Sequence, residues 1–142
     1  MGYDLMGDNA HHPTGGYFRA NIWGWSNFRK LMAQADPDGK AFNAKDWGSI
    51  GDNSGSHVPR TRCIKMAKAI KKYVRAAPES DTDIVIEHIT QDFKIKRYII
   101  GFEVAGDPGV PPGEGYNSVE TRDARIKEYI TFLETCGGFR CC

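Results

Sequence analysis

The 142-residue sequence lacks the patterns that mark the common catalytic and cofactor sites. It contains no phosphate-loop lysine motif, no dinucleotide glycine fingerprint, no nucleophile-elbow serine and no paired-histidine metal helix. Residues 52–56 resemble part of a calcium loop, but no acid closes that loop at the required spacing. We therefore expect no metal, no cofactor and no catalytic residue, and a binding protein is favoured over an enzyme.

Long apolar runs and an excess of one charge are also missing. No stretch approaches the length that spans a bilayer, and the N-terminus has no basic start followed by an apolar segment. These features predict a cytoplasmic protein with no membrane contact. The formal charge is only +1, so specific DNA binding is not expected and any electrostatic function must be local.

Cysteine is nearly absent until the end of the chain. Three of the four cysteines, Cys136, Cys141 and Cys142, lie in the last seven residues, and Cys63 stands alone before them. This spacing is not a disulfide framework, and the second cysteine pair of a zinc site is missing. Free thiols are the favoured interpretation, while metal binding by the three terminal cysteines stays open.

The composition that remains is that of one folded domain spanning residues 1–142, with 40% hydrophobic and 26% charged residues. Residues 1–15 are predicted as an irregular N-terminal arm, with a short strand at 3–5. Ser26 is predicted to cap a first helix over 26–35. Residues 40–58 are polar and rich in glycine, so they are predicted as a long loop.

An amphipathic helix is predicted over residues 60–75. Its apolar residues fall within one sector of a helical wheel, and the opposite sector is basic. The segment holds seven of the nineteen basic residues and no acid, so the near-neutral total conceals a concentrated positive face.

The C-terminal half predicts a small β element and one more helix. Residues 83–89 and 93–102 are predicted as a hairpin, with a helix over 80–92 as the competing interpretation. A Pro/Gly-rich flap follows at 105–117, and Ser118 begins a last helix that Gly137 and Gly138 end. The tail should fold back onto the core. The predicted fold class is therefore α+β, an α-rich single domain of about three helices with a small hairpin or short sheet.

The stretch from Tyr17 to Trp25 is the first candidate binding surface. Tyr17, Arg19 and Asn21 occupy alternating positions, which share one face in an extended segment. Trp23 and Trp25 also alternate, so one is expected in the core and the other, Trp25, at a pocket. An aromatic ring beside an arginine and an amide is typical of a binding site for a planar ligand, and equally of a protein interface.

The second candidate is the loop before the basic helix. Asn53 and Ser54 precede the helix start, where free backbone N–H groups attract anions, and Arg60 and Arg62 would add charge. A ligand is therefore predicted to lie between the 17–25 stretch and this loop.

Several blocks of the chain resemble a family of small uncharacterised proteins found largely in bacteriophage and prophage genomes. The blocks, which recur in order over somewhat more than half of the chain, are Gly2-Tyr3-Asp4-Leu5, Gly16-Tyr17-Phe18-Arg19 with Asn21, Trp23 and Trp25, the Asp52-Asn53-Gly55 region, and Gly137-Gly138-Phe139 with Cys141 or Cys142. Many members carry inserted Cys-x-x-Cys-x-Gly segments that this chain lacks, so a zinc role is not carried over.

The resemblance implies a phage-encoded accessory protein in the host bacterial cytoplasm, with counter-defence as the expected role. Three activities fit the candidate residues: sequestration of an anionic, nucleotide-like ligand; inhibition of a host defence protein; and hydrolysis of a nucleotide with Asp52 or His57 as the base. The first is preferred, and the expected partners are a nucleotide-like small molecule or a host protein, with a homo-oligomer also possible.

Overall fold

The described residues form a four-stranded antiparallel sheet, a two-stranded sheet and four α-helices. The computed structural model describes residues 2–51, 56–76, 88–89, 94–95, 102, 104–106, 112–113 and 115–141. The strands are β1 (Gly2–Gly7), β2 (Tyr17–Asn21), β3 (His57–Pro59), β4 (His88–Ile89), β5 (Lys94–Ile95) and β6 (Gly138–Cys141). The helices are α1 (Ile22–Ala35), α2 (Ala44–Ser49), α3 (Arg60–Ala76) and α4 (Val119–Thr135), with a short 3₁₀ helix at Pro13–Gly16. The α+β class is confirmed.

The two ends of the chain form the centre of the main sheet. Its strand order is β2-β1-β6-β3, and every neighbouring pair is antiparallel. Side chains alternate across it: Leu5 and Phe18 face each other on the inner side, and Met6 and Tyr17 face each other on the outer side. The inner side therefore carries the apolar surface that the helices cover.

The core lies between this inner face and α1, α3 and α4. Helix α3 packs against both α1 and α4, and its buried stripe is Cys63, Met66, Ala67, Ile70 and Val74. An aromatic cluster joins the layers, with Tyr129 of α4 at ring-centroid distances of 4.8 Å from Phe28 and 5.0 Å from Phe18. None of the helices in the described ranges is both long enough and apolar enough to cross a membrane.

The predicted helix over 60–75 is confirmed as α3, and the predicted cap of the last helix is confirmed because the Ser118 side chain accepts a hydrogen bond from the Thr121 N–H at 3.1 Å. Gly137 and Gly138 end that helix with φ values of 70° and 97°. The tail folds back as predicted, and it forms an interior strand of the sheet.

The N-terminal predictions need correction. Residues 2–7 form strand β1, where an irregular arm with a strand at 3–5 was expected, because pairing on both sides fixes their backbone. Helix α1 begins at Ile22 and its cap is Asn21, whose side chain accepts from the Gly24 N–H at 2.7 Å; Ser26 is an interior residue.

The predicted loop over 40–58 contains helix α2 and the start of strand β3, so the described residues include four α-helices where about three were expected. Helix α2 has a capping box: the Asn43 side chain accepts from the Asp46 N–H at 2.9 Å, and the Asp46 carboxylate accepts from the Asn43 N–H at 3.1 Å. This reciprocal pair stabilises a helix too short to form alone.

In the C-terminal half, β4 and β5 pair antiparallel, which confirms the hairpin for those four residues; the remainder of 80–101 lies outside the described residues. The 105–117 flap is described in part. Its two ends are joined by a hydrogen bond from the Ala105 N–H to the Tyr116 carbonyl oxygen at 2.7 Å.

Candidate functional site

The alternation predicted for the opening stretch is present in β2. Tyr17, Arg19 and Asn21 are exposed on one side, and Phe18 and Ala20 are buried on the other. The prediction that three polar-tipped side chains share one face is therefore confirmed. Whether they bind a ligand stays a prediction.

Arg19, the charged residue of the three, already has an acidic partner on the neighbouring strand. Arg19 lies opposite Asp4, with 3.8 Å between Nε and a carboxylate oxygen. The Tyr17 hydroxyl donates to the same carboxylate, and this hydrogen bond raises the pKa of Tyr17. Because Asp4 neutralises Arg19, this part of the sheet offers a free anion little net attraction.

The placement of Trp25 at a pocket is wrong. Only 1% of its surface is exposed, its ring stacks on Tyr3 at 5.8 Å, and its indole N–H donates to the Ile50 carbonyl oxygen at 2.8 Å. The physical reason is the early start of α1: with Asn21 as the cap, Trp25 falls on the same buried face as Phe28. The side chain of Trp23, expected in the core, lies outside the described part.

The second half of the predicted site is dispersed. Asn53 and Ser54 lie outside the described residues, so their proposed role stays a prediction. Arg60 is exposed at the start of α3, but Arg62 is 3.2 Å from the buried carboxylate of Asp46 and is therefore engaged in a structural ion pair.

His57, which ends the predicted loop, lies on β3 at the far edge of the sheet from Tyr17. The cross-strand register places Tyr17, Met6, Arg140 and His57 in one row on the outer side of the sheet, a surface we call the outer face. Three strand spacings separate the ends of that row, about 14 Å. His57 therefore lies on the same face as Tyr17 but not next to it.

One carboxylate organises the His57 end of the outer face. Asp8 contacts the His57 ring nitrogen Nε2, and its other oxygen is 3.6 Å from Arg140 Nε. The pair lies over Gly138, where an added Cβ would be 3.1 Å from both Asp8 Oδ2 and His57 Nε2. As with Arg19 and Asp4, His57 and Arg140 each have an acidic partner here.

A different surface of the protein carries four lysines around one cavity. A cavity of about 440 Å³ lies between the turn after α1 and the basic side of α3. Its described lining residues are Ala35, Asp36, Pro37, Asp38, Lys40, Ala41, Lys65, Lys68, Ala69 and Lys72. We call this cavity the lysine groove. Lys65, Lys68 and Lys72 recur at helical spacing, so α3 presents them along one side.

The turn that forms the other wall is held by Asp36. Its carboxylate is 8% exposed and accepts hydrogen bonds from three backbone N–H groups, those of Lys40 at 2.9 Å and of Ala41 and Phe42 at 3.0 Å each. These bonds to a charged acceptor fix the backbone of residues 36–42. The groove therefore has a preformed wall, as small-molecule sites usually do.

The lysines of the groove differ from two other cations of α3, Lys71 and Arg62, in having no acidic partner among the described residues. Lys71 donates to Glu134 at 3.0 Å, and Arg62 pairs with Asp46. Within the described part of the chain, Lys40, Lys65, Lys68 and Lys72 form no ion pair. Their exposed ammonium groups are available to an anion.

The sequence indicated half of this groove. The basic side of α3 was predicted from its spacing, but no binding role was predicted for residues 36–41. Asp36, Pro37, Asp38 and Gly39 are residues typical of a turn, and no sequence pattern states which helix that turn will contact.

The buried cysteines form a separate cluster. The Cys63 thiol donates to the Val58 carbonyl oxygen at 3.9 Å, and the Cys136 thiol donates to the Leu133 carbonyl oxygen at 3.7 Å. The neighbouring Cys136 thiol and burial raise the pKa of Cys63, whereas the neighbouring Cys63 thiol lowers the pKa of Cys136. Cys141 is also buried, and Cys142 lies outside the described residues. Among the described residues no group of three or more His, Cys, Asp or Glu side chains could hold a metal ion.

The protein is a small α+β domain with a lysine-lined cavity beside its basic helix, α3. Comparisons with protein-family models, with curated proteins and with solved structures found no match to this chain.

Proposed function

We propose that the protein binds a phosphate-bearing, nucleotide-like small molecule in the lysine groove and acts by sequestering it. The observation that carries this proposal is the set of four lysines without ion-pair partners in the described part of the chain, gathered around one cavity. Its volume of about 440 Å³ lies in the usual range for small-molecule sites.

The charge balance of the groove supports an anion. Four ammonium groups face two carboxylates, Asp36 and Asp38, which leaves a formal charge of +2. The Asp36 carboxylate is further engaged by three backbone N–H groups. An anion placed among the lysines therefore meets net attraction, although the formal charge of the whole sequence is only +1.

The biological setting of the proposal comes from the resemblance to phage proteins alone. In that setting the protein is an accessory factor in the host bacterial cytoplasm, where sequestering a nucleotide signal would counter a host defence. The ligand-binding proposal does not depend on that setting.

Calorimetric titration with ATP at low ionic strength tests the function. We expect saturable binding that Lys68→Gln weakens about threefold, because one exposed charge pair contributes up to about 1 kcal/mol. Lys71→Gln is the matched control, since Lys71 lies on the same helix but pairs with Glu134. Absence of binding, or equal loss in both variants, contradicts the proposal. Chromatography of the recovered nucleotide reveals any turnover, which would favour the hydrolase hypothesis.

A second candidate function is inhibition of a host protein through the outer face. Met6 and Tyr17 are cross-strand partners, and they are 43% and 46% exposed, unusually high for large apolar side chains. Around them, Arg19 and Arg140 each lie close to an aspartate. A flat surface with an apolar centre and balanced charges is typical of a protein interface.

A pull-down from bacterial lysate tests this candidate. A host protein retained by the wild type should be lost when Met6 and Tyr17 are both replaced by threonine, which keeps β propensity while removing the apolar contact. Lys45→Ala, an exposed substitution on α2, is the control. Retention of the same protein by the threonine variant contradicts the interface.

A further inference from the structure

The chemistry of the groove narrows the class of ligand beyond the proposed function, on which this inference rests. Apart from the four lysines and two aspartates, the described lining residues are three alanines and a proline. No aromatic ring, arginine, hydroxyl or side-chain amide is among them. The groups that usually recognise a nucleobase or a sugar are therefore missing from this described lining.

Each missing group removes one kind of recognition. A nucleobase is held by stacking on aromatic rings or arginine planes and by hydrogen bonds to its edge. Alanine and proline offer only small apolar contacts. A lysine ammonium, in contrast, binds phosphate as a point charge without directional pairing. The described lining of the groove can therefore bind a negatively charged group, but it has no side chain that would distinguish one base from another.

The lysines are also spread along the helix. From Lys65 to Lys72 the chain advances seven residues, which is about 10 Å along the axis of α3. Lys68 lies between them, and Lys40 faces them from the opposite wall. A chain of phosphates can contact ammonium groups distributed over that length, whereas a single phosphate would require the lysine side chains to converge on one point.

We propose that the lysine groove recognises the polyphosphate chain of its ligand, with affinity set by the number of phosphates and independent of the base. The ligand class is a nucleoside polyphosphate or a linear polyphosphate, which share this chemistry. A single-stranded nucleic acid is disfavoured because the described lining offers no stacking surface.

The experiment is a titration of the wild-type protein with AMP, ADP, ATP, GTP and inorganic tripolyphosphate at one fixed ionic strength, without divalent cations. Each added phosphate should tighten binding about threefold, the effect of roughly one further exposed charge pair. ATP and GTP should differ by less than about twofold, and tripolyphosphate should lie within about threefold of ATP, because no group in the described lining contacts the base specifically. Lys68→Gln should weaken ATP and tripolyphosphate equally, and Lys71→Gln should weaken neither.

Three results would overturn the inference. The first is tripolyphosphate binding more than tenfold weaker than ATP, and the second is a comparable preference for one base. The third, from a separate titration, is an oligouridylate that binds more than tenfold tighter than tripolyphosphate. In the first two, ATP binding that depends on Lys68 would still support the proposed function. Binding of none of the five compounds would overturn both.

Discussion

The indole N–H of Trp25 donates a hydrogen bond to the Ile50 carbonyl oxygen at 2.8 Å, and both residues are fully or almost fully buried. This bond connects α1 to the segment that follows α2, two parts of the chain that are 25 residues apart. It explains why this tryptophan belongs to the core although the sequence suggested a surface role.

Replacing Trp25 by phenylalanine should lower the free energy of unfolding by about 2 kcal/mol, since the buried Ile50 carbonyl loses its partner. Trp47→Phe is the matched control. The ring centroids of Trp47 and Phe42 are 6.1 Å apart, and no hydrogen bond of the Trp47 indole is described. That variant should lose less than about 1 kcal/mol. Denaturant unfolding measures both, and equal losses would argue against the Ile50 bond.

Replacing Asp36 by alanine should destabilise the wall of the lysine groove. Three backbone N–H groups lose a charged acceptor, and we expect a loss of at least about 2 kcal/mol in the free energy of unfolding. Hydrogen exchange should also show faster exchange at Lys40, Ala41 and Phe42. Unchanged exchange at these three amides would contradict the role of Asp36.

Replacing Asp38 by asparagine should strengthen anion binding. Its carboxylate is exposed beside the groove and has no described partner, so its removal raises the local positive charge without loss of a structural contact. We expect ATP to bind about twofold to threefold more tightly at low ionic strength. The difference should disappear at about 1 M salt, where the Debye length falls to roughly 3 Å. A tightening that persists at high salt would exclude this electrostatic explanation.

Replacing Gly138 by alanine should destabilise the sheet. The residue has φ of 97°, and an added Cβ would lie 3.0 Å from the Val58 carbonyl oxygen and 3.1 Å from His57 Nε2. We expect a loss of about 2 kcal/mol or more. Gly48→Ala on helix α2 is the control, because nothing lies within 4 Å of the added Cβ. Helix propensity should make that variant equal to or more stable than the wild type.

The pH dependence of stability should reveal the buried Tyr129 hydroxyl. Burial raises the pKa of Tyr129 well above its ordinary value, so the folded protein keeps this proton while the unfolded chain releases it above about pH 10. The stabilisation that the Tyr129 hydroxyl contributes is therefore fully present below about pH 10 and is lost as the pH rises further. Between pH 9 and 11 the wild type should lose about 1.4 kcal/mol more than Tyr129→Phe. Equal losses would mean that the hydroxyl ionises in the folded protein.

The elements predicted well are those with strong local signals. Helix α3 has a wheel divided into apolar and basic sectors, and α4 begins at a serine cap and ends at two glycines. Of the elements missed, one depends on distant partners and the other is short. Strand β1 is stabilised by pairing with β2 and with β6 from the opposite end of the chain, and α2 is a short helix set within a polar segment.

The candidate site divides in the same way. The alternation of Tyr17, Arg19 and Asn21 followed from the two-residue period of an extended chain, and β2 confirms it. Their charge state did not follow, because the carboxylate that neutralises Arg19 belongs to a neighbouring strand. Trp25 was misplaced because the cap of α1 lies at Asn21, five residues earlier than the serine that the sequence favoured.

The sequence alone determined the α+β class, the basic side of α3 and the exposed alternation in β2, since each depends on the periodicity of a single segment. Only the tertiary structure decided which cations are free. It paired Arg19, Arg62 and Lys71 with carboxylates from other elements, and it brought the Asp36 turn against Lys65, Lys68 and Lys72. Electrostatic pairing depends on distance in space, which the order of residues does not fix until the core has packed.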